Sequence, residues 1–290
     1  MKINIQTPDF FILGAPKSGT TALYKYLNSH PDIRFLAVKE PHYFASDIGW
    51  QPISSERDYQ KLFPTKKNNQ LIGEASVFYL YSIDAVPAIT KRNRTAKFIV
   101  MIRDPIEILT SLFFENKKSG DEDSSDLADA WINFDKCLLK KKRNPAAFNY
   151  PEVALLGAQT KRLLENIDPH QVIFIDFKEF TLNPRQVYVS VLEFLNLADD
   201  GRVSFEVENK GSDYRFLGLN TAIVVISDAL GLRFPGRKTL RKIADLIRSS
   251  NAVEKNLDWF ASDFKLMLEA HFESDQKQLW EEIAASCRKR

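Results

Sequence analysis

Residues 10–21 read FFILGAPKSGTT, and this stretch decides the fold of the chain. Phe10 to Leu13 form a short apolar run that ends at Gly14, which is typical of a buried β-strand. After the loop, residues 20–27 place apolar side chains at helical spacing, and residues 28–31 end that helix. The stretch therefore predicts a strand, a glycine-containing loop and a helix in direct succession.

Two further units of the same kind follow along the chain. The apolar run Lys97 to Ile102 precedes a helical pattern that extends from Ile106 to Phe114, and residues 172–176 precede a helix that starts near Pro184. Strands that are apolar throughout and alternate with helices predict an α/β fold whose parallel sheet is covered by helices on both faces. A long helical pattern over residues 257–283 predicts a helical C-terminal part.

The composition excludes several classes of protein. The 290 residues are 44% hydrophobic and 27% charged, which is typical of a globular chain. The net charge is 40 − 38 = +2, so no overall positive field predicts nucleic acid as a partner. Cys137 and Cys287 lie far apart, without metal-ligand spacing, and therefore predict neither a disulfide framework nor a zinc site.

Localisation and domain organisation are also predicted from the pattern. No apolar stretch reaches the ~18 residues of a transmembrane helix, and residues 1–10 lack the apolar segment of a signal peptide. We therefore expect a soluble, cytoplasmic protein without a transmembrane segment. Because no repeat or linker divides the chain, we expect residues 1–290 to form a single domain with a core over about residues 8–200.

The loop at residues 14–21 has the features of an anion-binding site. A strand that ends in a loop of small residues and leads into a helix turns several backbone N–H groups toward one point, and the helix dipole adds to that positive field. Lys17 adds a mobile positive charge. The loop is not a Walker A motif, because Thr20 stands where that motif requires lysine. The competing interpretation is that Gly19 only permits a turn and that Lys17 is solvated.

A second anion-binding element follows the next strand. Arg103 stands at the carboxyl end of residues 97–102, and Ser111 lies two helical turns further along the chain. Guanidinium and hydroxyl groups together suit a phosphate, and the carboxyl ends of parallel strands line the ligand crevice of open α/β sheets. Alone, Arg-Asp-Pro is more often a salt bridge at a helix start. Together with the first loop it predicts a site for two phosphates.

These motifs resemble those of the sulfotransferases that use 3′-phosphoadenosine-5′-phosphosulfate (PAPS). Residues 16–21, PKSGTT, resemble that family's 5′-phosphosulfate loop, and Arg103 with Ser111 resembles its 3′-phosphate motif. Residues 39–44, KEPHYF, are similar to a segment of the heparan-sulfate-type and related bacterial members. Further similarities follow in order over residues 73–76, 176–197 and 275–280, so the resemblance spans nearly the whole chain.

The resemblance implies a P-loop-like fold and a metal-independent enzyme that transfers a sulfuryl group from PAPS to a hydroxyl or amine, leaving 3′,5′-ADP. It favours a carbohydrate-like acceptor, because that preference accompanies the KEPHYF segment. Lys17 would stabilise the leaving nucleotide. Residues 201–290 would supply the segment that closes over the nucleotide and the C-terminal helices. The residues expected to bind the nucleotide are Pro16, Lys17, Ser18, Gly19, Thr20, Thr21, Arg103, Ser111, Lys210, Gly211 and Arg215.

Glu40 is the candidate general base, because the corresponding glutamate has that role in the heparan-type relatives. His42 competes for the role, since it would share the face of Glu40 along an extended segment and a neutral imidazole suits base chemistry. The competing structural role for Glu40 is an ion pair with Lys17 or Lys39. Glu74 is a weaker candidate for acceptor binding. The chain departs from the family at Ala75, where those enzymes carry a lysine.

Two other functions are compatible with parts of the sequence. A small-molecule kinase would bind ATP and magnesium through the loop around Lys17. A protein that binds a membrane surface or an acidic polymer would use residues 233–248, which hold six basic side chains and one acidic side chain. Such a stretch is more often a solvated helix face, and in a sulfotransferase it would guide an anionic acceptor.

Overall fold

A parallel β-sheet forms the centre of the computed structural model. The model describes residues 6–65, 67, 69–139, 144–206, 212–214, 252–254 and 262–289. The strands of the sheet are β1 (Phe10–Gly14), β2 (Ile33–Phe35), β3 (Leu71–Ala75), β4 (Lys97–Ile102) and β5 (Val172–Asp176). Their spatial order is β2-β3-β1-β4-β5, and every neighbouring pair is parallel. A separate antiparallel pair consists of β6 (Ser212–Tyr214) and β7 (Ala252–Glu254).

Helices connect the strands and cover the sheet. In chain order they are α1 (Thr20–Asn28), α2 (Glu56–Gln60), α3 (Ala85–Arg92), α4 (Pro105–Ser119), α5 (Leu127–Ile132), α6 (Phe134–Leu139), α7 (Tyr150–Val153), α8 (Leu156–Leu164), α9 (Phe177–Leu182), α10 (Pro184–Leu195) and α11 (Ser262–Lys289). Two short 3-10 helices span Pro145–Phe148 and Pro169–Gln171. None of the helices in the described part of the chain is both long and apolar enough to cross a membrane.

The sheet separates two apolar clusters, as the alternation of side chains along a strand requires. Phe10 and Ile12 of β1 belong to one cluster, which α1 and α10 cover. Phe11 and Leu13 belong to the other, which α3, α4, α8 and α11 cover. Helices therefore lie on both faces of a parallel sheet, and the predicted fold class is confirmed.

Local sequence signals explain the helix that follows β4. The Asp104 carboxylate accepts a hydrogen bond from the Glu107 backbone N–H, and Pro105 occupies the first turn of α4. The helix ends at Gly120, whose φ of 77° is left-handed. It therefore runs beyond the Phe114 at which the sequence pattern ended.

The C-terminal helix α11 packs against α8. Its buried residues Leu268, Phe272 and Leu279 come from the helical pattern predicted for the tail. The Asp275 carboxylate accepts hydrogen bonds from the backbone N–H groups of Gly157 and Ala158, each at 2.8 Å, and so caps the start of α8. A Cβ atom at position 157 would lie 2.1 Å from the Asp275 carbonyl oxygen, which explains the glycine.

The division of the chain into a core and a closing segment stays a prediction. The candidate nucleotide-closing residues Lys210, Gly211 and Arg215 lie outside the described residues, as does the basic stretch 233–248.

Candidate active site

The loop after β1 starts at the carboxyl end of the central strand. Its backbone is left-handed at Lys17 (φ 61°) and at Gly19 (φ 85°). A Cβ atom at Gly19 would lie 2.9 Å from a ring carbon of Phe177, so both the backbone angle and the close packing require glycine. The loop is thereby held in a tight turn that leads directly into α1.

The first turn of α1 contains no acidic residue of its own. Gly19, at the N-cap position, offers no side-chain cap. Thr20 and Ser18 are buried, and the Ser18 hydroxyl donates to the Pro16 carbonyl at 3.3 Å. A helix start with this sequence presents its first N–H groups and its dipole to an anion. The predicted anion-binding loop therefore has the required local structure.

Arg103 joins the two predicted phosphate motifs. Its Nη1 donates to the carbonyl oxygen of Lys17 at 2.5 Å, and its guanidinium carbon lies 4.4 Å from the centre of the Phe177 ring. Sequence reasoning missed Phe177. An aromatic residue directly after the carboxyl end of a parallel strand was the available signal. Phe177 packs between the glycine of one motif and the arginine of the other, and so fixes their spacing.

Acidic side chains of α4 pair with both cations. Arg103 Nε lies 2.8 Å from Glu107 Oε2, and Lys17 Nζ lies 3.3 Å from Glu115 Oε2. Ser111 stands midway between these two glutamates at four-residue intervals, so it lies on the same face of α4. The structure thus brings Lys17, Arg103 and the helix face that carries Ser111 to one end of the sheet.

The candidate base lies along the carboxyl end of β3. The Glu40 N–H donates to the Ala75 carbonyl at 2.9 Å, and the His42 N–H donates to Ser76 Oγ at 3.2 Å. The sequence predicted an extended segment here. The backbone is not extended, because Glu40 (φ 62°) and His42 (φ 49°) are both left-handed. The two side chains nevertheless meet, with His42 Nε2 3.8 Å from Glu40 Oε2.

Glu40 carries a negative charge over the whole neutral range. Burial raises the pKa of its carboxyl, but the adjacent His42 and Lys39 side chains lower it more, to about 2. Lys39 Nζ forms an ion pair with Glu40 Oε1. Of the two ion pairs predicted as alternatives for Glu40, the one with Lys39 is present, whereas Lys17 pairs with Glu115 instead. The other carboxylate oxygen, Oε2, lies on the side of His42 and can accept a proton.

The His42 side chain is buried and unusual in its polar contacts. It is 0% exposed, and neither ring nitrogen has a hydrogen-bond partner within the described residues. The half-buried ring of Trp50, 4.9 Å away, packs on it. Buried polar atoms without partners are rare in folded proteins and need an explanation. Glu40 Oε2, 3.8 Å from Nε2, is a nearby polar atom with which the ring can pair.

A second carboxyl lies below this segment. Glu74 of β3 is 1% exposed and accepts hydrogen bonds from Tyr59 OH at 2.5 Å and Ser76 Oγ at 2.9 Å. Its side chain is closed off from solvent, and its weaker candidate role in acceptor binding stays a prediction. Among the residues that the structure describes, no group of three or more histidine, cysteine, aspartate or glutamate side chains is arranged to hold a metal ion.

A family model and known proteins match much of this chain. The family model described as Sulfotransferase domain matches residues 7–209, which include all of the described candidate residues. Carbohydrate sulfotransferase 15 of Mus musculus is 28% identical over 245 residues, which cover 66% of this chain and 44% of that protein. The chain thus spans less than half the length of this relative.

Solved structures show the same fold. A sulfotransferase from Alicyclobacillus acidocaldarius superposes with a TM-score of 0.72 at 23% identity and covers 97% of each chain. The mouse sulfotransferase SULT7A1 complexed with PAP superposes with a TM-score of 0.51 at 13% identity, covering 94% of this chain and 85% of that one. The family match extends over more than half of the chain and includes its predicted anion-binding motifs. The chain belongs to the sulfotransferase domain family.

Proposed function

We propose that this chain transfers the sulfuryl group of PAPS to a hydroxyl or amine of a carbohydrate-like acceptor and releases 3′,5′-ADP. The observation that carries the proposal is the 2.5 Å contact between Arg103 and the loop carbonyl of Lys17. This contact joins the two predicted anion-binding motifs, which supports the proposal that they bind one bisphosphorylated nucleotide. Membership of the sulfotransferase family supports the reaction, and the name of the mouse carbohydrate sulfotransferase supports the acceptor class.

The residues present fit the donor. The uncapped start of α1, with Thr20 and Thr21, would hold the 5′-phosphosulfate, while Arg103 and Ser111 would hold the 3′-phosphate. In the protein alone, the two cations are neutralised by Glu107 and Glu115. The Glu115 side chain is 58% exposed, so its ion pair with Lys17 costs little to exchange for a phosphate.

The mechanism follows from positioning and electrostatics. Sulfuryl transfer resembles phosphoryl transfer in that charge spreads over equatorial oxygens while the nucleophile and the leaving group are in line. Lys17 would stabilise the negative charge that develops on the leaving nucleotide. Glu40 would accept the proton of the acceptor hydroxyl, since it is ionised at neutral pH. His42, 3.8 Å away, is the competing base.

Independence from metals and a cytoplasmic location belong to the proposal as well. Lys17 and Arg103 would supply the positive charge that a magnesium ion supplies to many nucleotide enzymes. We expect full transfer activity in the presence of EDTA, and a requirement for magnesium would contradict this part. Fractionation of the source cells tests the location.

Ligand-induced stabilisation separates this function from that of a kinase. A ligand that binds only the folded state raises the melting temperature. We expect 3′,5′-ADP to raise it and ATP with magnesium to leave it nearly unchanged. A transfer assay with PAPS and a panel of sugars and phenols then tests the acceptor class. Stabilisation by ATP with magnesium but not by 3′,5′-ADP would overturn the proposal.

A further inference from the structure

Glu74 is a buried acid that the proposed reaction does not use. It lies in β3, 1% exposed, one residue before the Ala75 whose carbonyl holds Glu40. Three hydroxyl groups surround it: Tyr59 OH donates to Oε2, Ser76 Oγ donates to Oε1, and Tyr79 OH also hydrogen-bonds to the carboxyl. Burying an ionisable carboxyl costs free energy, and the hydrogen bonds from these hydroxyl groups offset only part of that cost.

The hydroxyl groups around Glu74 also hold the backbone of residues 39–44, the segment that carries Glu40 and His42 and is called the base segment below. Ser76 Oγ accepts from the His42 N–H at 3.2 Å, and Tyr79 OH accepts from the Phe44 N–H at 3.1 Å. An ionised carboxylate can only accept hydrogen bonds. It therefore keeps the Ser76 hydrogen directed at itself and leaves the serine lone pairs to the His42 N–H.

The base segment needs such support. Glu40 and His42 both have φ values near 50–60°, a left-handed conformation that is uncommon for residues other than glycine. Conformations of this kind persist only where the surrounding structure enforces them. The Ala75 carbonyl accepts a hydrogen bond from the Glu40 N–H. Ser76 Oγ accepts one from the His42 N–H and itself donates to Glu74.

We propose that Glu74 is a positioning residue: its ionised carboxylate orders the Ser76 hydroxyl that holds the His42 backbone, and thereby keeps the partly exposed Glu40 carboxylate, beside His42, in place for the acceptor. This inference rests on the proposed function. Glu74 touches neither nucleotide nor acceptor and acts only through the segment above it. Protonation would place a hydrogen on the carboxyl where one of these hydroxyl groups now donates, and would disturb that order.

The ionisation of Glu74 falls in a range that an assay can reach. Burial raises the pKa of its carboxyl to about 7, against the lowering effect of hydrogen bonds from Tyr59, Tyr79 and Ser76. The two tyrosines stay neutral, because burial raises their pKa values well above the usual range.

Other charged groups face this cluster from the neighbouring elements. Glu40 has a pKa of about 2 and stays ionised, and Lys39 pairs with it. Arg92 of α3 contributes a positive charge near Tyr59, and its own pKa is raised by Glu56. His42 is the competing titratable group, so the experiment has to separate it from Glu74.

Two variants test the inference through their pH profiles. The wild-type kcat should fall on the acid side with a midpoint near pH 7. Glu74→Gln should lower kcat by about 10- to 100-fold and remove that acid limb, while the Kd for 3′,5′-ADP stays unchanged. Tyr59→Phe should move the limb to higher pH, because it deletes a hydrogen bond that lowers the Glu74 pKa.

Glu56→Gln is the matched control. Glu56 accepts a hydrogen bond from Tyr43 OH on the outer side of the same segment, at 2.9 Å, and its pKa is lowered, mainly by Arg92. We expect this variant to keep the wild-type midpoint. The fluorescence of Trp50, identified by subtracting a Trp50→Phe spectrum, reports the position of His42 without turnover, because the two rings lie 4.9 Å apart.

The outcomes are distinct. The inference predicts that the Trp50 signal titrates near pH 7 in the wild type, does not titrate in Glu74→Gln and titrates at higher pH in Tyr59→Phe. A wild-type midpoint in Glu74→Gln assigns the titration to His42 and overturns the inference, and so does an unshifted midpoint in Tyr59→Phe. Absence of any sulfuryl transfer by the wild type defeats the proposed function instead, and the fluorescence titration still decides the role of Glu74.

Discussion

Arg103 contacts three parts of the candidate site with one side chain. Nη1 holds the Lys17 carbonyl, Nε holds Glu107, and the guanidinium plane lies over Phe177. Arginine suits this position because its donors form a rigid fork and its flat face packs on an aromatic ring. A lysine at position 103 would keep the charge and lose the connection between the two phosphate motifs.

Glu115→Gln should tighten nucleotide binding. Glu115 pairs with Lys17 in the free protein, so a bound phosphate has to displace it. Exposed ion pairs are worth about 0–1 kcal/mol, which corresponds to an increase in affinity for 3′,5′-ADP of up to about fivefold. Titration calorimetry measures it, with Lys91→Ala on the exposed end of α3 as the control. Weaker binding in Glu115→Gln would show that Glu115 helps to hold the nucleotide.

Glu40→Gln and His42→Ala separate the two candidate bases. Loss of a general base lowers the rate by about 10²- to 10⁴-fold. We expect that loss in Glu40→Gln with nucleotide affinity intact, since Glu40 lies on the β3 side of the loop, away from Arg103 on the β4 side. Single-turnover rates with PAPS give the answer. Full activity in Glu40→Gln together with loss in His42→Ala would assign the base to His42.

At the scale of the elements, a single carboxylate connects α8 to α11. Asp275 accepts two backbone N–H groups at the start of α8. Leaving buried donors unpaired costs about 1–3 kcal/mol. Asp275→Ala should therefore lower the melting temperature by several degrees, as scanning calorimetry would record, whereas Glu273→Ala on the exposed face of α11 should not. Equal melting temperatures for the two variants would contradict this role for Asp275.

β1, β4 and β5 could be predicted from the sequence, because each is an apolar run that requires burial, and α10 starts at Pro184, which cannot continue a preceding hydrogen-bonded turn. β2 and β3 were not predicted, because β2 has only three residues, including the exposed Arg34, and β3 contains Glu74. Lys17 and Arg103 of the proposed nucleotide site follow β1 and β4, so their positions could be predicted together with those strands.

The rest of the site depends on contacts between residues distant in sequence. The left-handed backbone of Glu40 and His42 is imposed by Ala75 and Ser76, more than thirty positions away. The packing of Phe177 on Gly19 likewise joins two segments that no local pattern connects. Such long-range contacts leave no periodicity in the sequence, so neither feature could be predicted from it.

At the scale of the whole molecule, the order of the strands places the candidate base and Arg103 on opposite sides of β1. β1 lies between β3 and β4, and the loop with Lys17 follows β1. The base segment is tied to the end of β3, while Arg103 follows β4. Ligands of open α/β sheets bind at this kind of point, where the strand order reverses direction. The proposed acceptor side and the proposed nucleotide side therefore flank the central strand.

The buried acid of β3 should also make stability depend on pH. The pKa of Glu74 rises from 4.5 to about 7 on folding, so the folded protein binds the proton more tightly than the unfolded chain. This stabilisation is present below pH 4.5 and is lost as the pH rises through 7. The loss amounts to about 3 kcal/mol.

Urea titrations of the wild type and of Glu74→Gln measure that effect. The amide is neutral at every pH, so we expect the stability of the wild type relative to the variant to fall between pH 5 and pH 8. Glu40, with a pKa of about 2, contributes only below this window. A pH-independent difference would show that Glu74 is not buried as a titrating acid.

The central claim is that the loop of Lys17 and the guanidinium of Arg103 bind the two phosphates of one nucleotide. Titration calorimetry with 3′,5′-ADP and with 5′-AMP tests it on the wild type, Lys17→Ala and Arg103→Ala. We predict that the wild type prefers 3′,5′-ADP, that Lys17→Ala weakens the binding of both nucleotides, and that Arg103→Ala abolishes only the preference. No heat with 3′,5′-ADP, or a preference that survives in Arg103→Ala, would contradict the claim.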